Sequence, residues 1–136
     1  MRVVVDTSSW IDYGRGRLTS DERKAIETAW RNADCILYQW VWLELVVGFR
    51  SPAERRALDD YRAISKWEPL NAADATRAEQ LADGLRDRGR NVGAADLLIV
   101  AAAERLGAQL MHRDSDFDAV LEDPQLRALR WSAQTR

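Results

Sequence analysis

Met1-Arg2-Val3-Val4-Val5-Asp6 opens the chain, and the reading of this stretch decides the fold. Three consecutive β-branched apolar residues end in a carboxylate, followed at once by Thr7-Ser8-Ser9 and a helix-like run, Trp10-Ile11-Asp12. A short run that is apolar at every position fits a strand covered on both faces, as in a parallel sheet. In such sheets ligands bind just beyond the carboxyl ends of the strands, which is where Asp6 falls. Asp6 also stands where an N-cap for the next helix would stand, so a capping role and a functional one are both open.

Outward from this stretch, helices and strands alternate. Thr19 or Ser20 caps an amphipathic helix whose buried stripe is Ala25, Ile26, Ala29 and Trp30. Residues 34–38 read as a second buried strand. They run into 40–49, apolar on nearly every side except Glu44, a buried helix closed by Gly48 and Pro52. A mixed-charge helix over 53–66 leads to a short strand or extended link at 66–70. Asn71 caps a long helix ending near Arg86, and residues 87–93 form a loop. Ala94 to Leu106 is an alanine-rich, almost wholly apolar helix that Gly107 stops. Ala108 to His112 is a third buried strand, and Leu129-Arg130-Trp131 is expected as a last, edge strand. This alternation predicts an α/β domain with a mainly parallel sheet. One domain over 1–136 is expected, since about 136 residues can bury roughly two-thirds of the unfolded chain's surface.

With 46% hydrophobic and 31% charged residues the composition is globular, and no apolar run approaches the ~20 residues of a membrane helix. Cys35 reads as a reduced core thiol, and the absence of a signal-like segment points to the cytoplasm. The net charge of −2 does not advertise nucleic-acid binding, although 18 of the 20 basic residues are Arg, the cation suited to bidentate phosphate contact. GC-rich coding would produce the same bias.

Most acids lie on polar helix faces among arginines, where solvation explains them. Four settings differ. Asp6 ends a buried strand; Glu44 is the lone charge in an apolar helix; Asp96 is the lone charge between Gly93 and Glu104; Asp114 and Asp116 follow a strand directly. A carboxylate on a buried face costs several kcal/mol unless it is paired, neutralised or metal-bound. In a βαβ layout all these positions lie near the strand carboxyl ends. Two carboxylates ~4 Å apart repel by about 4 kcal/mol at an effective dielectric near 20, so a cluster needs a cation to stay ionised near neutral pH. An all-oxygen ligand set favours Mg²⁺ or Mn²⁺, and metal-assisted phosphodiester hydrolysis is the chemistry such a site suits.

The succession Val-Val-Asp6-Thr-Ser-Ser-Trp-Ile, Glu44-Leu within an apolar helix ending in Gly48, Ala-Ala-Asp96-Leu-Leu-Ile-Val-Ala-Ala-Ala and His-Arg-Asp114-Ser-Asp116-Phe117 resembles the PIN-domain ribonucleases, and more closely the VapC toxins of toxin–antitoxin pairs. Each motif alone is weak; four in register across nearly the whole chain are specific. The resemblance implies an α/β/α sandwich in which Asp6, Glu44, Asp96 and Asp114 form the acidic quartet that binds Mg²⁺ or Mn²⁺, with Asp116 as a fifth acid. It implies hydrolysis of tRNA or rRNA by a metal-activated water, leaving a 3′-hydroxyl and a 5′-phosphate. It further implies a homodimer, silenced by a cognate VapB antitoxin in a heterotetramer or larger assembly. Thr7 or Ser8 matches the small hydroxyl residue that helps hold the metal or phosphate. Two departures bear on substrate choice: Gln39 and Trp40 precede the Glu44 helix where a small hydroxyl residue is common, and His112 stands where Thr is common.

His112 lies beside Asp114 and invites a general-acid role, but a strand residue at this spacing packs or hydrogen-bonds locally more often. Trp40, one turn before Glu44, could stack a base, although core or dimer packing is the more ordinary use. Arg15, Arg17, Arg88, Arg90 and Arg113 lie in loops that could surround the acidic pocket and hold RNA phosphates. Two other classes stay open. A receiver-type phosphoacceptor or phosphatase also places Asp at strand ends, but needs a Lys near the site, and neither Lys24 nor Lys66 follows a buried strand. A non-catalytic PIN-like metal- or protein-binding module would lack an acid, and none is lacking.

Overall fold

The computed structural model describes residues 1–130. In chain order the elements are β1 (Val3–Val5), α1 (Thr7–Gly14), α2 (Ser20–Arg31), β2 (Cys35–Tyr38), α3 (Gln39–Gly48), α4 (Pro52–Ile64), β3 (Lys66–Glu68), α5 (Ala72–Asp87), α6 (Ala94–Leu106), β4 (Gln109–Met111), α7 (Ser115–Leu121) and a 3₁₀ helix, Pro124–Leu129. The four strands form one parallel sheet in the order β3-β2-β1-β4, flanked by helices as an α/β/α sandwich. β1 is central, with Val4 and Val5 fully buried, because a strand that is apolar on both faces needs cover on both sides. Val3, Val4 and Val5 pair with Gln109, Leu110 and Met111 of β4, while Val3 and Val4 pair with Cys35 and Ile36 of β2.

The sheet order matters for the site. From β1 the chain moves outward through β2 to β3, then returns to place β4 on β1's other side. The direction of winding therefore reverses between β1 and β4, and the crevice at their carboxyl ends is the switch point at which open α/β sheets bind ligands. Asp6 leaves β1 there, its amide donating to the Met111 carbonyl at 3.0 Å.

Local signals explain most element boundaries. Thr19 and Glu22 form a reciprocal capping box at the start of α2. Ser51 and Asn71 cap α4 and α5, and Pro52 occupies the first turn of α4. Gly107 ends α6 at φ 61°, a left-handed conformation that glycine adopts without a Cβ penalty. Trp10, Tyr13, Trp30 and Tyr61 tie α1, α2 and α4 together, with ring centroids 5.2–5.6 Å apart. Burial raises the Cys35 thiol to about 12, so it stays a thiol in the core. Among the described residues no helix is long and apolar enough to cross a membrane.

Two expectations change. In place of an edge strand at Leu129-Arg130-Trp131, the chain makes the 3₁₀ helix and a single parallel bridge from Arg130 to Leu110; Trp131 lies outside the described residues. The helix around Glu44 is not buried all round either: Val41, Trp42 and Leu45 face the core, while Leu43 and Val47 face outward, Val47 at 87% exposure. After β4 the structure adds a helix that the sequence pattern did not indicate, α7, seven residues long and capped by Asp114.

One polar network sits within this frame. Asp74, 1% exposed, accepts from Tyr38 Oη at 2.8 Å and from Arg105 Nε and Nη2 at 2.7 and 3.0 Å, while Arg105 Nη1 reaches Glu68 at 2.9 Å. The bidentate clamp joins β2, β3, α5 and α6. Removing one partner of a buried pair leaves the other charge uncompensated, so Asp74→Ala is expected to destabilise the protein by about 3 kcal/mol, read by urea denaturation. Unchanged stability would mean that Arg105 finds equivalent partners without Asp74.

Candidate metal centre

Each acidic side chain reaches the β1–β4 crevice from a different element. Asp6 follows β1, Glu44 lies on α3, Asp96 in the first turn of α6, and Asp114 and Asp116 at the start of α7. α3 begins directly after β2 without a loop residue, which places Glu44 little more than one turn beyond the sheet edge. Carboxylate oxygens of Asp96, Asp114 and Asp116 lie within 4.8 Å of one another. Asp6 and Glu44 lie near enough that their charges, with those of Asp114 and Asp116, act on Asp96. The structure thus brings together the five acids singled out in the sequence.

Asp6 answers the question left open at the start of the chain. It is 3% exposed and caps α1, its Oδ1 accepting from the Ser9 amide at 2.9 Å and its Oδ2 from the Ser8 hydroxyl at 2.8 Å. A carboxylate has about four acceptor positions, so two such bonds orient it and leave capacity for a cation. Capping and a place in the cluster are compatible. Burial raises the Asp6 carboxyl, against the lowering effect of its Ser9 and Ser8 bonds. Asp96 is pushed up to about 6, first by burial and then by its acidic neighbours. Asp114 is a cap as well, accepting from the Asp116 amide at 2.9 Å. Thr7 Oγ1 donates to Glu44 Oε1 at 2.7 Å across the α1–α3 boundary.

The outer candidates are placed less uniformly. Arg113 donates to Asp12 at 2.9 Å and pairs with Glu22 at 3.4 Å; Arg17 lies 3.9 Å from Asp12. Arg15 pairs with Glu54 at 3.6 Å and Arg90 with Glu122 at 3.5 Å, while Arg88 lines a separate cavity between α5 and α7. Trp40 packs against the core. His112 is buried against the Phe117 ring at 4.9 Å, with Nε2 3.7 Å from Asp118, and burial lowers its pKa, so it is neutral near pH 7. Sequence reasoning passed over Asp12 and Glu22, which anchor the arginine beside Asp114. Their pairing with Arg113, 101 residues away from Asp12, is marked by no local signal, although Glu22 also serves the capping box of α2. Ser9 was legible in principle as the third residue after a capping Asp.

The donor set fits a hard divalent cation: clustered carboxylate oxygens without thiolate, with Asp6 held above its ordinary value by burial and Asp96 by burial and then by its acidic neighbours. Asp96, Asp114 and Asp116 would hold it, with Asp6 and Glu44 beside them. An open parallel sheet carrying such a cluster at its switch point defines a class, and the sequence relatives define it further. The PIN domain matches residues 3–122, and the chain belongs to the PIN-domain family, among the VapC ribonucleases. It is 30% identical over 135 residues to Ribonuclease VapC11 of Mycobacterium tuberculosis, covering 93% of this chain and 96% of that protein. It is 38% identical over 82 residues to Ribonuclease VapC21 of the same species, over 57% of this chain and 59% of the relative. The fold is that of VapBC2 from Rickettsia felis, solved bound to a promoter DNA fragment (TM-score 0.74, 18% identity, 92% of this chain and 95% of that one). It is likewise that of VapBC-1 from nontypeable Haemophilus influenzae (TM-score 0.71, 21% identity, full length of both chains).

The raised Asp96 carboxyl has a consequence for stability. A carboxyl at about 6 when folded and 3.8 ordinarily binds its proton more tightly in the folded state. Its contribution therefore favours folding fully below the unfolded value and is lost as pH rises through about 6. In EDTA, the melting temperature of Asp96→Asn relative to wild type is expected to rise between pH 4.5 and 7.5, and Mn²⁺ to stabilise wild type selectively at the higher pH. A difference independent of pH would show that Asp96 is not strained by its neighbours.

Proposed function

We propose that this chain is the Mg²⁺- or Mn²⁺-dependent endoribonuclease toxin of a VapBC pair. The observation that carries the proposal is the convergence of Asp6, Glu44, Asp96, Asp114 and Asp116 at the β1–β4 switch point of a chain in the VapC group. When bound, the divalent cation supplies the positive charge that makes water nucleophilic near neutral pH and offsets the charge gathering on the RNA phosphate. Asp96, Asp114 and Asp116 bind it, Asp6 is aimed by α1, and Glu44 closes the far side. The substrate is RNA, of the tRNA or rRNA class, with Arg113, beside Asp114, and Arg17 as its phosphate contacts. Arg15, Arg88 and Arg90, held at Glu54, at a separate cavity and at Glu122, and the core-packed Trp40 are not assigned to it. The receiver-type alternative fits less well, since Lys66 starts β3, at the sheet edge opposite the acids, and Lys24 is an exposed residue of α2.

The partner is a VapB antitoxin. The relatives' assemblies motivate this, and an apolar cavity of about 230 Å³ between α1, α3 and α4, lined by Trp10, Leu45, Phe49, Ala57, Leu58 and Tyr61, gives such a partner a seat. The exposed apolar side chains Leu43 and Val47 of α3 suit a homodimer contact. The chain works in the cytoplasm as a single PIN domain.

Asp6→Asn is expected to abolish Mn²⁺-dependent cleavage of total RNA while leaving the melting temperature near that of wild type; full activity in such a variant would remove the proposal. Expressed without antitoxin, the wild-type chain should arrest growth and Asp96→Ala should not, and equal toxicity of the two would argue against a nuclease toxin. Ala57→Arg should weaken antitoxin binding at least tenfold by calorimetry with Mn²⁺ affinity unchanged; unaltered antitoxin affinity would place the partner elsewhere.

A further inference from the structure

The five acids fall into two groups by how they are held. Asp96, Asp114 and Asp116 crowd one another, whereas Asp6 and Glu44 each receive a hydroxyl proton from the first turn of α1, Asp6 from Ser8 at 2.8 Å and Glu44 from Thr7 at 2.7 Å. Glu44 needs such a restraint more than the others. Its side chain is the longest of the five, it is only half-buried, and it shares the crevice with the like charge of Asp96. Of the neighbouring α3 positions, Val41, Val47 and Gly48 carry no polar side-chain group, and the Trp40 indole N–H makes no hydrogen bond among the described residues. Thr7 answers from another element, and a hydroxyl donating to a carboxylate is among the stronger hydrogen bonds. Because Thr7 directly follows Asp6, the same bond fixes the end of β1 relative to α3.

We propose that Thr7 is a positioning residue, whose hydroxyl proton holds the Glu44 carboxylate in the cluster, and that it influences cation binding through Glu44 and not as a ligand of the metal or the RNA phosphate. This deepens the metal-site reading and rests on it. The family resemblance assigned a hydroxyl here to the metal or phosphate; the Thr7 proton is instead committed to a carboxylate 37 residues away.

The test is a double-mutant cycle on Mn²⁺ affinity by calorimetry, without RNA. Thr7→Val preserves shape at a half-buried position and should weaken Mn²⁺ binding roughly tenfold, the size expected for losing a hydrogen bond to a charged group. Thr7→Ser should restore affinity to within about twofold. In a Glu44→Ala background, Thr7→Val should have no further effect, because the partner is already gone. Melting temperatures in EDTA confirm that each variant is folded, and Thr7→Ser carries the comparison if the valine variant is not. Wild-type affinity in Thr7→Val, or an undiminished loss in the Glu44→Ala background, would overturn the assignment while leaving the metal site intact. Failure of wild type to bind Mn²⁺ would overturn the metal reading, and the assignment with it.

Discussion

The structure turns on the mutual repulsion of carboxylates gathered at one end of a parallel sheet. Two such charges 4.8 Å apart cost about 3.5 kcal/mol at an effective dielectric near 20, and Asp96 feels four neighbours. Burial adds to this and is the larger cause of the Asp96 shift to about 6. Nothing about the fold's stability calls for this arrangement. Carboxylates that solvated helix faces would accommodate freely are instead fixed by strand ends, helix caps and hydroxyl donors. Charge crowding of this kind is what a bound cation would relieve.

A scaffold that holds such a site must resist its relaxation. The crevice walls come from the central β1 and its neighbour β4, and Val4, Val5, Leu110 and Met111 are fully buried, so neither strand end can shift without disturbing the core. Away from the crevice, the Tyr38–Asp74–Arg105–Glu68 network couples β2 and β3 to α5 and α6, and the Trp10–Tyr13–Trp30–Tyr61 cluster binds α1 to α2 and α4. Asp6 caps α1, and α6 carries Asp96 in its first turn. Each is thereby anchored by contacts remote from the acids.

Cation and acid are balanced differently around the site than within it. The overall charge of −2 conceals a separation: uncompensated carboxylates inside, and ion-paired arginines outside. Arg113, adjacent in sequence to Asp114, is turned to Asp12 and Glu22 and so ties the β4–α7 link to α1 and α2. Exposed pairs of this kind contribute little to stability, so their arginines can exchange a carboxylate for a phosphate at small cost.

The sequence by itself determined the periodic elements. Val3-Val4-Val5 and Cys35-Ile36-Leu37 fit strands covered on both faces, Thr19 or Ser20 offered the start of a helix, and solitary acids at Asp6, Glu44 and Asp96 marked places where burial and charge conflict. These are local facts of patterning and desolvation, visible in one stretch at a time. The tertiary structure decided what depends on neighbours distant in the chain. It made Asp6 a cap and a member of the cluster at once, left Val47 exposed where an apolar run implied full burial, and replaced the expected strand at Leu129 by a 3₁₀ turn. It also joined Thr7 to Glu44 and Arg113 to Asp12, pairs whose meaning lies in contact between elements and which no pattern within a single segment encodes.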